Sequence, residues 1–154
     1  NSGNFDIDGV TPNMAMGYFY SQELQSMQSN WFIHAIKGNA AGGGYSTISD
    51  LYKFSTALTS YKLLDEAFTK AAYSAKPELN SPYYGYGYQV WTFPGQQRRF
   101  ALLGVYGQAI FVDPAQKLVM VHLAANATAK AGQTSMGREM GSLWYGLVTH
   151  YGKW

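Results

Sequence analysis

One run of six residues, Leu118-Val119-Met120-Val121-His122-Leu123, restricts the fold more than any other part of the sequence. Alternate side chains of a β-strand point to opposite faces of its sheet. Because five of the six residues are apolar, both faces of this strand carry apolar groups. Such strands occur where both faces of a sheet are covered. The run therefore predicts a sheet with a helical layer on each face.

Three stretches have the spacing expected of helices. Thr47 and Asp50 are spaced as a capping box in front of apolar residues at helical intervals, which predicts a helix that ends near Ser60. Asp65 is expected to cap a second, shorter helix that stops before the Lys76-Pro77 pair. The side chains of this helix expected to face inward are Phe68, Ala71 and Ala72. An apolar stripe over residues 135–150 predicts a longer third helix.

The strands are predicted from a change of period to two. Residues 84–91 alternate so that three tyrosines share one face, which predicts one continuous strand. Residues 98–103 and 106–112 are predicted to form two more strands. Asp113-Pro114-Ala115-Gln116 is then a turn that leads into a strand over residues 117–124.

Residues 1–45 show no sustained period and contain many turn formers, which predicts an extended loop with short ordered pieces. Long irregular segments are unusual in compact domains, so we interpret this one as a wrap around a body that is partly missing.

Residues 1–154 are expected to form a single domain, an α/β (α+β) sandwich with an antiparallel sheet of at least four strands and helices on its faces. One long amphipathic helix is too little to cover both faces, so we expect the fold to be incomplete in this chain.

Composition narrows the possible partners. Charged residues make up 13% of the chain, against about 25% in average domains. The net charge is +2 without a basic run, so neither nucleic acid nor an anionic membrane is an expected partner. No segment is apolar for long enough to span a bilayer. The absence of cysteine excludes disulfides, a thiol nucleophile and cysteine-based zinc sites.

Two patterns that suggest metal binding are incomplete. Residues 4–9 match the first half of a calcium loop, but Ala15 stands where the bidentate glutamate belongs. The three histidines are far apart in sequence and form no H-x-x-x-H pair. We therefore expect no metal and no cofactor. His122 is expected to be a core histidine.

Two further patterns leave alternatives open. Residues 44–48 begin like a nucleophile elbow around Ser46, but the closing glycine and a preceding strand are missing, which favours a helix cap after a flexible loop. The aromatic residues of the tyrosine strand could either pack the sheet or form a stacking platform for sugar rings or bases. These residues are Tyr83, Tyr84, Tyr86, Tyr88 and Trp91.

Three segments together resemble the serine β-lactamase and penicillin-binding-protein superfamily, in its esterase and amidase branch. Residues 37–54 (KGNAAGGGYSTISDLYKF) resemble its glycine-rich loop and the helix that follows. Residues 12–18 (PNMAMGY) resemble the segment upstream. Residues 104–108 (GVYGQ), followed by 111–114 (FVDP) and the apolar strand, are similar to the branch that contains 6-aminohexanoate-dimer hydrolase.

The resemblance covers only the C-terminal part of that family. It implies a β-lactamase/transpeptidase-like fold and hydrolysis of a small ester or amide through an acyl-enzyme. The family's Ser-x-x-Lys pair is not in this chain: Ser60 and Ser74 have lysine two residues later, not three. A Tyr-x-Asn motif is also missing. The resemblance therefore implies that the nucleophile, its base and the tyrosine lie outside this chain.

The same resemblance assigns site residues. Leu102-Leu103-Gly104 aligns with the family's Lys-Thr-Gly or His-x-Gly motif, so Leu102 replaces the cation, which favours an ester or amide over a β-lactam carboxylate. Val105 is expected to supply a backbone N–H to the oxyanion hole. Leu102, Gly104 and Tyr106 are expected to bind substrate. The alternative for Gly104 is an ordinary strand glycine at a close backbone approach.

The expected partner is a second polypeptide that carries the N-terminal part, or another copy of this chain, because an open sheet edge and apolar patch are normally paired or covered. The resemblance favours a periplasmic or secreted protein. The alternative function is a non-catalytic binding module that uses the tyrosine-rich face.

Overall fold

The computed structural model describes residues 13–30, 38–40, 42–79, 84–93, 99–104 and 108–123, together with Gly146. Its helices are α1 (Ile48–Thr59) and α2 (Glu66–Ala72), followed by a 3-10 turn at Pro77–Leu79. Its strands are β1 (Tyr18–Ser21), β2 (Ser26–Ser29), β3 (Gly85–Tyr86), β4 (Trp91–Thr92), β5 (Phe100–Leu103), β6 (Ala109–Asp113) and β7 (Leu118–His122). In the described part of the chain, no helix has both the length and the apolar character needed to cross a membrane.

Helix α1 confirms the predicted capping signal. Thr47 is the N-cap, and its hydroxyl accepts a hydrogen bond of 3.2 Å from the backbone N–H of Asp50. Leu51, Ser55 and Leu58 lie one helical turn apart and form the inward face. The buried Ser55 hydroxyl donates to the carbonyl oxygen of Leu51 at 2.8 Å. A small residue in mid-helix, with its polar atom satisfied, lets the helix lie close to the sheet.

Helix α2 has the predicted start and end, but the predicted inward face is wrong. The Asp65 carboxylate accepts from the backbone N–H of Phe68 at 2.8 Å, as an N-cap should. Phe68 itself is 69% exposed, whereas Thr69 is buried. The helix meets the core through Thr69 and its C-cap residue Tyr73, whose ring stacks on Phe100 with 4.9 Å between centroids. A helix of only seven residues is oriented by these two contacts rather than by its apolar content.

The five strands β3 to β7 form an antiparallel sheet, as predicted, and neighbouring strands follow one another in sequence order. The register pairs Phe100 with Val112 and Leu102 with Ile110 across β5 and β6. Ile110 in turn pairs with Val121 of β7. These side chains share one face of the sheet, the α1 face, because partners in register and alternate residues point the same way.

Both faces of this sheet carry buried apolar side chains. On the α1 face, the inward residues of the helices pack on Phe100, Ile110 and Val112. On the opposite face, Ala101, Ala109 and Phe111 are buried next to Leu118 and Met120. The predicted helical layer is therefore present on the α1 face. The helix predicted for the opposite face, over residues 135–150, lies outside the described residues apart from Gly146, which is helical.

The prediction of one strand over residues 84–91 is wrong, because the chain turns back between Gly87 and Val90. The N–H of Gly87 donates to the carbonyl oxygen of Val90 at 2.8 Å, and Gln89 has a φ of 58°. The turn leaves two short strands, β3 and β4, that pair with each other. Gly87 is required by a close approach: a Cβ there would lie 2.9 Å from the carbonyl oxygen of Ser74.

A second hairpin, β1 with β2, lies in the stretch predicted to be extended loop. Its strands have four residues each, and all of these residues are half-buried or exposed. The turn between them is closed without glycine, with Gln25 at a φ of 49°. Without a buried face or a glycine turn, the sequence carries no alternation that would predict this hairpin.

The turn between β6 and β7 is held by a buried ion pair. Arg99 Nε donates to Asp113 Oδ2 at 3.0 Å, and the two side chains are 12% and 0% exposed. Asp113 also accepts from the backbone N–H of Gln116 at 3.1 Å and from its side-chain amide at 2.9 Å. The predicted turn is confirmed, and the carboxylate that closes it is fully hydrogen-bonded.

Candidate functional site

A cleft of about 290 Å³ opens where the β5–β6 hairpin meets the start of α1. Its walls come from the loop before α1, from α1 itself, from the facing ends of β5 and β6, and from the residue after β7. The described residues that line it are Gly44, Ser46, Leu51, Leu102, Leu103, Gly104, Gln108, Ala109, Ile110 and Leu123. Its volume is at the lower limit of the range usual for small-molecule sites, and its described lining is mostly apolar.

The β5–β6 side of the cleft is fixed by the end of the hairpin. Leu103 pairs with Ala109, and beyond them the N–H of Gly104 donates to the carbonyl oxygen of Gln108 at 2.8 Å. A Cβ at Gly104 would overlap the side chain of Gln108. Glycine therefore allows the Gln108 carboxamide to fold back across the hairpin at the mouth of the cleft. The atoms nearest to such a Cβ belong to the Gln108 side chain.

The helix side of the cleft follows from the cap of α1. Gly44 and Ser46 lie just before the N-cap Thr47, so the capping geometry sets where they stand. Ser46 is exposed at the cleft. Leu51, in the first turns of α1, reaches the cleft and also packs on the core.

The chemistry of the described lining is apolar and neutral. The polar side chains in it are the Ser46 hydroxyl and the Gln108 carboxamide, and the lining residues include no charged group. Leu102 lies in the cleft opposite Ile110, where the resemblance places a cation in other members of the family. The described residues contain no group of three or more His, Cys, Asp or Glu side chains that could hold a metal ion.

The structure brings two of the four site residues expected from the sequence into this cleft, Leu102 and Gly104. Val105 and Tyr106 lie outside the described residues. Gln108 was not expected from the sequence, although a hairpin that turns after Gly104 would return the chain near that position. Ser46 was noted only as an incomplete nucleophile elbow. The calcium-like segment at residues 4–9, His34 and His150 also lie outside the described residues.

A separate aromatic cluster occupies the edge hairpin. Trp91 lies edge-to-face with Tyr84 and Tyr86, with centroids 5.6 and 5.0 Å apart. Tyr84 and Trp91 are partly exposed. Tyr88 does not join them, because the turn directs it to Lys76, whose Nζ lies 3.7 Å from the ring centroid. The single face of tyrosines expected from a continuous strand is therefore divided into two parts.

A family model described as Beta-lactamase matches residues 3–139. The chain belongs to the β-lactamase family. Among solved structures, it is similar to a penicillin-binding protein from Bacillus halodurans, with a TM-score of 0.73 and 21% sequence identity. A search of curated proteins finds no match.

The structural match covers 92% of this chain and 43% of the penicillin-binding protein, so the chain spans less than half the length of that protein. At this identity the likeness shows the fold, and it confirms the predicted α+β arrangement of an antiparallel sheet with helices. As a β-lactamase-family chain, the protein is a member of a serine hydrolase family. The similarity to the branch of 6-aminohexanoate-dimer hydrolase stays a prediction.

Proposed function

We propose that this chain is the C-terminal portion of a serine hydrolase that cleaves a small ester or amide through an acyl-enzyme. The observation that carries the proposal is the cleft of this β-lactamase-family chain, in which Leu102 and Gly104 lie together at the end of β5. We assign this cleft as one wall of the active site.

The nucleophile and its base are assigned to polypeptide outside this chain. A serine or its equivalent needs an adjacent base to become reactive. Ser46 lines the cleft, but no lysine follows it at the family's spacing, and the described lining residues include no base. Among the described lining residues, no side chain could act as the base for that hydroxyl.

Two roles are proposed for residues of the β5–β6 loop. The backbone N–H of Val105 would stabilise the oxyanion, a role that needs geometry and no particular side chain. Val105→Ala is therefore expected to keep most of the activity, whereas Val105→Pro removes the donor and should lower kcat by about a hundredfold or more. The proline variant also needs a folding control by circular dichroism. Tyr106 is proposed to contact the substrate beside Leu102 and Gly104.

We also propose that a second polypeptide, or another copy of this chain, completes the fold. Large apolar side chains are exposed on α1, on α2 and on the loop between them: Ile48, Tyr52, Leu63, Leu64 and Phe68. Within the described sheet, β7 is an edge strand. Exposed apolar groups and strand edges are usually covered by a partner, which supports the proposal.

The experiment compares the 154-residue chain with the natural polypeptide that contains it. Both are treated with 4-nitrophenyl butyrate and with a fluorophosphonate that acylates activated serines. The natural polypeptide should hydrolyse the ester and be labelled at a serine outside the 154 residues, and the isolated chain should do neither. Labelling of Ser46 in the isolated chain would overturn the assignment of the nucleophile. Inactivity of both the isolated chain and the natural polypeptide would overturn the proposal that the protein is a hydrolase.

The second candidate function is a non-catalytic binding module, and the cluster of Trp91 with Tyr84 and Tyr86 favours it. Backbone hydrogen bonds anchor this hairpin to the end of α2 and the segment after it: Tyr88 N–H donates to the Ala72 carbonyl at 2.9 Å, and Lys76 N–H donates to the Tyr86 carbonyl at 2.8 Å. Rigid, partly exposed aromatic rings suit stacking. Ring-specific quenching of tryptophan fluorescence by a methyl glycoside or a nucleoside, lost in Trp91→Ala, would support this candidate.

A further inference from the structure

We infer that the cleft receives the uncharged, aliphatic part of the substrate and rejects substrates that carry a carboxylate there. The inference rests on the proposed function, because it assigns a substrate class to the same site.

The size of the cleft suits a medium-length aliphatic group. Its volume of about 290 Å³ leaves room for an aliphatic chain of several carbons. Leu102 and Ile110 pair across β5 and β6, and Leu51 reaches the cleft from α1. Leu103 and Leu123 also line it. An aliphatic chain placed here exchanges contact with water for contact with leucine and isoleucine, which is favourable in proportion to the area buried.

A carboxylate in the same place would lose its hydration without a compensating charge. Burial of an ionised group is costly unless it is paired and hydrogen-bonded. Two described cations near these elements are already engaged, Lys53 with Asp50 at 3.3 Å and Arg99 with Asp113 at 3.0 Å. Neither lines the cleft. Among the described lining residues, the polar side chains are those of Ser46 and Gln108, and both are neutral.

Gln108 sets the polarity at the mouth of the cleft. Its carboxamide has both donor and acceptor groups, so it can form hydrogen bonds with a neutral ester or amide. It supplies no net charge to hold an anion. We therefore assign Leu102 and Gln108 as residues that determine substrate specificity, the first by excluding water and charge and the second by contributing a neutral dipole.

The test measures binding and needs no nucleophile. The 154-residue chain is titrated with octanamide and with octanoate, and chemical shifts in its 15N spectrum are followed. Octanamide should shift signals of residues that line the cleft, and octanoate should bind about tenfold more weakly or worse because its charge stays unpaired. Equal affinity for the two ligands, or shifts confined to residues away from the cleft, would overturn the inference.

Variants then test the role of charge at the cleft. Leu102→Lys should raise the affinity for octanoate and lower that for octanamide. Since Leu102 also packs on the core, Leu103→Lys is a second variant at the same mouth, where the wild-type side chain is 47% exposed and the fold is at less risk. Leu24→Lys, in the exposed turn between β1 and β2, is the matched control with the same charge change. A gain of octanoate binding in the control as large as at the cleft would refute the assignment.

Failure of this inference is distinguishable from failure of the proposed function. Selective octanamide binding without ester hydrolysis by the natural polypeptide would support the inferred substrate class and refute the proposed hydrolase function. Hydrolysis without selectivity between neutral and anionic ligands would refute the inferred substrate class and support the proposed hydrolase function.

Discussion

A carboxylate-to-amide substitution in the buried pair of Arg99 and Asp113 is expected to cost far more stability than the same substitution in an exposed ion pair. Asp113→Asn removes the charge at a fully buried carboxylate that accepts three hydrogen bonds. Asp113 Oδ2 accepts two of these bonds and Oδ1 the third, so an amide in either orientation places its NH2 group against a donor. Arg99, only 12% exposed, also loses the negative charge that Asp113 places 3.0 Å from its Nε. Removal of one partner from a buried pair costs about 3–5 kcal/mol.

The matched control is Glu66→Gln, the same carboxylate-to-amide change in a solvent-exposed pair. Glu66 contacts Lys70 one helical turn later, and both side chains are about half exposed. Exposed pairs of this kind contribute about 0.3–0.5 kcal/mol. Reversible urea unfolding, followed by circular dichroism, measures both variants. We expect an unchanged m-value and a loss of unfolding free energy about ten times larger for Asp113→Asn than for the control.

A double-mutant cycle separates the interaction energy between Arg99 and Asp113 from the effect of changing each residue alone. Arg99→Met should also cost about 3–5 kcal/mol, because it leaves the buried Asp113 unpaired. The double variant should cost clearly less than the sum of the two single variants, since no unpaired charge remains. If the unfolding free energy of Asp113→Asn lies within about 1 kcal/mol of the parent value, or the two losses simply add, the buried pair does not stabilise the turn.

Three further expectations concern the caps, a close contact and association. Thr47→Ala should cost about 0.5–2 kcal/mol of unfolding free energy through loss of the α1 cap, whereas Thr56→Ala, on the exposed side of the helix, should stay within about 0.5 kcal/mol. Gly87→Ala should cost about 1–3 kcal/mol because its Cβ would meet backbone carbonyl oxygens, while Gly42→Ala, with open space around it, should be nearly neutral. In sedimentation at micromolar concentration, the chain should associate with itself or with a second polypeptide; a homogeneous monomer with a cooperative melt and no dye-binding surface would contradict this.

The elements that could be predicted are those whose signal is local. The cap of α1 depends on Thr47 and its neighbour three residues on, and the cap of α2 depends on Asp65 in the same way. The apolar run of β7 is long enough to identify a strand with apolar side chains on both faces. In each case the physical cause of the structure lies within a few residues of sequence, so the pattern alone is sufficient.

The errors arose where a distant contact overrides the local pattern. Alternation over residues 84–91 favours a strand, but Gly87 is held by its contact with the segment after α2, and the chain turns there. In α2, apolar content favours Phe68 as the buried residue, but the stack of Tyr73 on Phe100 orients the helix and buries Thr69. Neither contact has a signature in the residues beside it.

The cleft is also formed by residues that are distant in sequence, so local patterns do not predict it. Its chemistry is hard to change because several of its lining residues belong to the core. Leu102 follows Phe100 by two residues on β5, so both lie on the α1 face of the sheet. Phe100 is wholly buried, and Leu102 packs against the same core cluster while it lines the cleft. Ile110 likewise belongs to both the core and the lining. The floor of the cleft is thus the open end of the hydrophobic core. A cation at position 102 would have to leave apolar contacts that hold β5 to β6 and α1, so in this chain the neutral character of the site and the stability of the sheet depend on the same side chains.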